Sequence, residues 1–291
     1  MVRLSTQCIE CLLKKHVNKY PSDAAEETKL LYQQGALQIL GTAKKEQSAP
    51  EILAEIEALK EKIFGVRDDF SKEKVYFNAL MLGKEPEMRK KVRAAEDELS
   101  LAASYAMLGN FIDFGAMDSV DEEKLSAMLA DVQNMRLDAA ELKNLKTDLA
   151  RAKRLVYLTD NCGEIVMDKL LIETILRLYP TLQVEVIVRG APVLNDATME
   201  DALQIGLDTL AFVTDNGSAV AGTVLDKISA QAREKIDAAD VILAKGQGNF
   251  ETLRFCGKNI YYLFMCKCIM FAERFGVERF SPMVLNDLRM Q

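Results

Sequence analysis

Apolar and polar positions alternate in two different rhythms, and the rhythm changes near residue 150. Before it, apolar residues recur every three to four positions in a background of Ala, Glu, Lys, Leu and Met, the residues that lose least on entering a helix. The first half is therefore predicted to be nearly all helical. Pro21-Ser22 separates a first helix from a second, and Ser48-Ala49-Pro50-Glu51 is a capping box opening a helix with Ile52, Ile56, Leu59 and Ile63 on one face. Ser71 is placed to cap the next. Beyond Gly83 a long amphipathic pattern runs through Met88, Val92, Leu99, Ala103 and Met107, and the segment 109–115 then breaks it. Helical spacing resumes through Leu125, Met128 and Leu129.

From Leu155 onward, short β-branched runs alternate with helical stretches of ten or more residues, the pattern of a parallel α/β sheet. Strands are expected at 155–158, 184–188, 210–213, 241–244 and 260–264. Helices are expected at 165–178, 198–205, 223–236 and 268–275. The resulting expectation is a three-layer α/β/α Rossmann-like domain over residues 151–291, preceded by an all-helical domain over 1–150 whose 109–115 segment reaches the pocket.

Composition narrows the function classes. Of 291 residues, 49% are hydrophobic and 28% charged, an ordinary globular balance. The net charge of -7 argues against nucleic-acid binding, which needs a basic face. No apolar run is long enough to span a bilayer and the start has no signal-peptide core, so a cytoplasmic protein without a membrane partner is expected. Six cysteines fit reduced intracellular thiols. His16 is the only histidine, which leaves catalysis to carboxylates, lysines, thiols or a metal.

Candidate chemistry lies in the residues that follow each strand, because in a parallel sheet these loops emerge on one edge, where ligands bind. They are Asp160-Asn161, then Arg189 through Asp196, then Thr214-Asp215-Asn216-Gly217-Ser218, then Lys245 through Glu251, then Lys267. Carboxylates from two or three of these loops with an amide oxygen suit a hard divalent cation such as magnesium or manganese. Lys245, before Gly246-Gln247-Gly248, and Lys267 supply positive charge for an anion, and the next helix start offers free N–H groups. Metal plus two ammonium groups is what phosphoryl transfer needs. A plainer reading stands beside it: Asp160, Asn161 and Asp196 can cap helices, Asp215-Asn216-Gly217 can be a turn, and Gly109-Asn110 can end a helix.

The strings Thr159-Asp-Asn-Cys-Gly-Glu-Ile-Val-Met-Asp168, Val188-Arg-Gly-Ala-Pro-Val-Leu-Asn-Asp-Ala-Thr198 and Lys245-Gly-Gln-Gly-Asn-Phe-Glu251 resemble the motifs of the damage-control phosphatases. The resemblance spans most of the chain. The Cys8-Ile9-Glu10-Cys11 start and the Gly109-to-Asp113 segment resemble the prokaryotic and plant subgroup. It implies hydrolysis of small phosphorylated metabolites, sugar phosphates included, with magnesium, manganese or related ions such as cobalt or nickel. Carried over, Asp160, Asn161 and Asp196 would be metal ligands and Glu164 a pocket acid. Lys245 and Lys267 would lie on the phosphate side, with Gly246, Gly248 and Asn249 in the substrate loop and Asn110 and Asp113 as a pocket wall. The attacking group stays open between a metal-bound water, assisted by Glu164 or Asp196, and Asp160 itself.

Cys8 and Cys11 form a candidate second, soft-metal site that is short of ligands, or simply buried thiols. Two other functions compete: an S-adenosylmethionine-dependent carboxyl methyltransferase, and a non-catalytic module sensing metals or thiol state. No Gly-x-Gly-x-x-Gly follows the first strand, which disfavours a nicotinamide enzyme.

Overall fold

The computed structural model describes residues 3–113 and 121–290. Phe114 and Gly115 of the expected pocket segment lie outside them. A six-stranded sheet runs in the order β3-β2-β1-β4-β5-β6. Its strands are β1 (Arg154–Leu158), β2 (Gln183–Val188), β3 (Phe212–Asp215), β4 (Val241–Lys245), β5 (Ile260–Met265) and β6 (Pro282–Asn286). All neighbouring pairs are parallel except β5 with β6.

Helices cover both faces. On one lie α4 (Ser71–Ala94), α5 (Glu98–Gly109), α6 (Glu122–Ala130), α7 (Ala139–Arg151), α8 (Glu164–Leu178) and α9 (Met199–Gln204), sharing a core with Leu155, Tyr157, Val186, Leu243, Tyr261 and Leu263. On the other lie α10 (Ala230–Ala238), α11 (Gly246–Leu253) and α12 (Ile269–Phe275), packed on Val156, Leu158, Ile242, Ala244, Tyr262 and Phe264. Alternate residues of β1, β4 and β5 thus feed opposite cores, which is why these strands read as continuous apolar runs. Each such fully buried side chain contributes about 1.5–3 kcal/mol. A third core belongs to α1 (Thr6–His16), α2 (Glu26–Thr42) and α3 (Ala49–Phe64), centred on Tyr32, Ala36, Ile52 and Ile56.

Several expectations shift for local reasons. The capping box at Ser48 and Glu51 is present. Ser71 does not cap its helix; it is the first helical residue, and its N–H donates to Asp69 Oδ1 at 2.9 Å. Helix α4 runs through Gly83 and even Pro86, and the pattern breaks instead at Asp97, whose side chain accepts from the Ser100 N–H and starts α5. The helix expected from Thr223 begins only after Ser229, which caps it through the Ala232 N–H. Strand β6 was not expected from sequence because Pro282 opens a short run with no alternation; its edge position and first-residue proline agree with the rule that proline cannot donate within a ladder. No helix among the described residues is long and apolar enough to cross a membrane.

The crossovers from β1 run one way across one face, through β2 to β3. Those from β4 run the other way across the opposite face. The strand order therefore reverses between β1 and β4, and the crevice outside their carboxyl ends is the place such a sheet offers a ligand.

Candidate active site

Asp160 and Asn161 sit immediately beyond β1 and are nearly inaccessible, at 6% and 2% exposure. Asp196 is brought to them by the loop after β2: Asn161 and Asp196 form an isolated antiparallel bridge, and the Ala197 N–H donates to Asp160 O at 2.7 Å. Two loops distant in sequence are thereby zipped together by backbone. Asp160 Oδ2 accepts from Asn110 Nδ2 at 3.0 Å and Asn161 Nδ2 at 2.8 Å. The Asn161 amide also donates to Glu164 Oε2 at 2.9 Å, so its nitrogen is held between two carboxylates and Oδ1 is turned away from both.

Arg189, the residue at the end of β2, links the acids. Its Nε donates to Asp196 Oδ2 at 2.6 Å and its Nη2 to Asp160 Oδ1 at 3.3 Å, while Nη1 donates to Asn249 Oδ1 at 3.2 Å. Burial, then the charges of Asp196 and Glu164, push the Asp160 carboxyl well above its ordinary range, with Arg189 pulling the other way. Burial likewise raises Asp196 to about 6 against the pull of Arg189. Two buried carboxylates against one guanidinium leave an excess of negative charge that a divalent cation would relieve.

Glu164 and Lys245 lie beneath this floor. Both side chains are fully enclosed. Lys245 spends its three N–H groups on Ala106 O at 2.8 Å, Glu164 Oε1 at 2.7 Å and Asp168 Oδ1 at 2.7 Å. Burial works against its charge, but Asp168 and Glu164 outweigh it and hold the ammonium above its usual range. A phosphate oxygen would have to displace one of these acceptors to reach it. Glu164 accepts from Lys245, Asn110, and both nitrogens of Asn161, so it acts on the floor from behind. Asp168 receives Tyr157 OH at 2.8 Å as well as Lys245, while its Oδ2 is buried without a partner, and burial raises the carboxyl to about 7.

Gly246 explains itself by contact. Its φ is +78°, and a Cβ there would stand 1.9 Å from Asp160 Oδ2. The glycine lets β4 turn against the Asp160 carboxylate. A Cβ on Gly248 would meet Ala221 O at 2.3 Å. Asn249 is fully enclosed and ties four groups: it accepts from Arg189 and Thr223 and donates to Thr159 O and Lys245 O. It braces this loop from within rather than facing the cleft. Lys267 pairs with Asp113 Oδ2 at 2.5 Å.

A cleft of about 500 Å³ opens above this floor, lined at its base by Asp160, Asn161, Asp196, Asp113, Lys267, Gln247 and Gly248, with α1 and the start of α3 as its far wall. Cys8 and Cys11 line that wall, the first buried and the second exposed. Among the described residues no group of three or more His, Cys, Asp or Glu side chains is arranged to hold an ion, so the two thiols stay short of a soft-metal set. The oxygen set differs in kind, having two carboxylates and an amide. Among the described residues no donor reaches Asn161 Oδ1 or Asp196 Oδ1, and both residues face the cleft. Free, hard oxygens beside excess negative charge fit a magnesium-type ion. Asp215 instead accepts from the Gly217 N–H at 2.9 Å and is exposed, a turn residue.

Sequence reasoning gave no role to Arg189 or Asp168. Each carried a signal: an arginine directly after a buried strand at the ligand edge, and an acid four residues past Glu164 on the apolar face of α8.

Comparison with known proteins identifies the family. The sequence profile of the damage-control phosphatase ARMT1-like domain matches residues 4–282. An uncharacterised protein of Methanocaldococcus jannaschii is 30% identical over 291 residues, 95% of this chain and 93% of its own. A damage-control phosphatase of Pyrococcus horikoshii is 36% identical over 204 residues, covering 67% of this chain and 69% of its own. The crystal structure of a DUF89 family protein from Pyrococcus horikoshii has a TM-score of 0.74 at 29% identity and covers 98% of this chain and 99% of that one. A match running from the first helix to the last strand establishes the family: the chain belongs to the damage-control phosphatase ARMT1-like family.

Proposed function

We propose that the protein is a phosphoric monoester hydrolase acting on small phosphorylated metabolites, sugar phosphates among them, with magnesium or manganese as the resident ion. The family is metal-dependent. The observation that carries the reading is the pair of oxygens without a donor, Asn161 Oδ1 and Asp196 Oδ1, beside Asp160 at the floor of the cleft.

Asp160, Asn161 and Asp196 would hold the ion. Its chemistry when bound is to polarise the phosphoryl group and offset its charge. The remaining work falls to the chain. Arg189 holds both carboxylates in place, and Lys245 fixes Glu164, which fixes Asn161 and Asn110. Lys267 neutralises a phosphate oxygen by exchanging Asp113 for it, and the first turn of α11, which lines the cleft at Gln247 and Gly248, favours the same anion through its positive helix end. Asp160 has Oδ2 tied by two amides, and its more loosely held Oδ1, 3.3 Å from Arg189, is the oxygen it would give the ion, which disfavours it as nucleophile. Water is then the attacking group, and Asp196 is the carboxylate at the cleft placed to assist it. Glu164 is too enclosed for that step.

The test is phosphate release from a panel of phosphorylated sugars by metal-stripped protein with magnesium, manganese, cobalt or nickel restored, alongside Asp160→Asn and Asp196→Asn. Release that requires metal and falls at least about a hundredfold in both variants supports the reading. Metal-independent release that survives both substitutions refutes it.

A further inference from the structure

Above its polar floor the cleft is walled by apolar side chains. Pro50 and Leu53 come from α3, Leu194 from the loop leading to Asp196, and Ile269 and Met270 from α12. None is sealed into a core: four are half-buried, and Ile269 leaves 56% of its surface uncovered. Leu194 is held at φ +47°, a conformation that costs a non-glycine residue on the order of 1–3 kcal/mol, two positions before Asp196.

Several polar groups facing the same space are already engaged. Gln247 accepts from the N–H groups of Lys267 and Cys268, both at 3.1 Å, and donates to Glu251 at 2.7 Å. Lys14 pairs with Glu10 at 2.5 Å, and Gln7 donates to Glu273 at 3.1 Å. A leaving group rich in hydroxyls would lay them against the apolar wall, which offers them no partner. A hydrocarbon segment would instead cover exposed apolar wall.

Resting on the phosphatase reading above, we infer that the preferred substrate is a phosphomonoester whose leaving alcohol carries an apolar carbon segment, in preference to a bare sugar phosphate. The phosphate sits at the oxygen floor, and the carbon segment lies along Leu53, Leu194, Ile269 and Met270. The volume of about 500 Å³ falls in the range of small-molecule sites built this way.

The test uses the metal-loaded full chain and the series ethyl, butyl and hexyl phosphate, with glucose 6-phosphate for comparison. The three alkyl esters share one phosphate and near-equal leaving groups, so their ratio reads the wall alone. The expected result is a rise in kcat/KM of about fourfold per methylene, carrying hexyl phosphate well above glucose 6-phosphate. Ile269→Ser, at an exposed position that does not endanger folding, is expected to lower the hexyl-to-ethyl ratio by about threefold or more. Metal-dependent release that is flat along the series, or best with glucose 6-phosphate, overturns this inference and leaves the phosphatase reading intact. No release from any ester overturns both.

Discussion

Substituting Gly246 by alanine adds a single methyl group at the point where β4 turns against Asp160. The new Cβ would lie 1.9 Å from Asp160 Oδ2 and 2.1 Å from its Cγ, whereas real Cβ atoms essentially never approach within 3.0 Å. The carboxylate must therefore retreat by about 1.1 Å, the gap between those two distances. Retreat pulls Oδ2 from its donors on Asn110 and Asn161 at 3.0 and 2.8 Å. Hydrogen bonds to a charged group are worth about 1.5–3 kcal/mol each, and a non-glycine residue in the left-handed region costs about 1–2 kcal/mol more. Partial relaxation brings the expected loss of stability to about 4 kcal/mol, or about 8–16 °C in Tm for a chain of this size. A displacement of about 1 Å at a catalytic ligand typically costs about a hundredfold in rate. Gly246→Ala should accordingly keep the circular dichroism of the fold at low temperature, melt earlier and release phosphate about a hundredfold more slowly. Wild-type Tm and wild-type turnover together would show that the close approach to Asp160 does not govern the site.

Two further perturbations probe the groups beneath the floor. Lys245→Met leaves Glu164 and Asp168 buried without their cation, and breaking such a pair typically costs about 3–5 kcal/mol, measurable by urea unfolding; a change under about 0.5 kcal/mol is what a solvated surface lysine would give, and would contradict the enclosed geometry. Asp168 has a folded-state pKa of about 7 against an ordinary 3.8. Because it is raised, the folded state binds the extra proton. Its contribution to stability is full below about pH 4 and is lost as pH rises through about 7. Asp168→Asn removes this titration, so the variant should gain stability relative to wild type between pH 5 and pH 8, by at most about 4 kcal/mol; a difference that does not change with pH would rule the shift out.

Much of the sheet was legible because its strands are buried on both sides. The runs Leu155–Leu158 and Val241–Ala244 have no polar interruption, and the loops at their carboxyl ends begin abruptly with Asp160 and Lys245. Periodicity said less where tertiary contact decides. A new amphipathic pattern was expected beyond Gly83, yet α4 continues past it and past Pro86, with the surrounding residues Met81 and Met88 buried against the core. In β6, which meets β5 as an antiparallel edge, the local signal was too short to stand out.

In the site, residue type was readable but direction was not. Asp160, Asn161 and Asp196 were expected to converge, and the bridge between the two loops brings them together. Lys245 and Asn249 were expected to face a phosphate, since a lysine and an amide beside glycines suit an anion. Which way they turn depends on Glu164 and Asp168 from α8 and on Arg189 just past β2, partners 60 to 81 positions away, and the structure turns both side chains into the protein. Arg189 is the clearest omission. Its place at a strand end marks the ligand edge but not its partners, and only the three-dimensional meeting of the two acidic loops gives it a purpose.

The most direct test of the oxygen floor is calorimetric titration of manganese into metal-stripped protein, comparing wild type, Asp196→Asn and Asp168→Asn. Asp196 would hold the ion, whereas Asp168 lies beneath the floor with its charge turned toward Lys245. Expected are one manganese site in wild type, a loss of affinity of about a hundredfold or more in Asp196→Asn, and retained binding in Asp168→Asn. Equal affinity in wild type and Asp196→Asn would place the ion elsewhere and contradict the account.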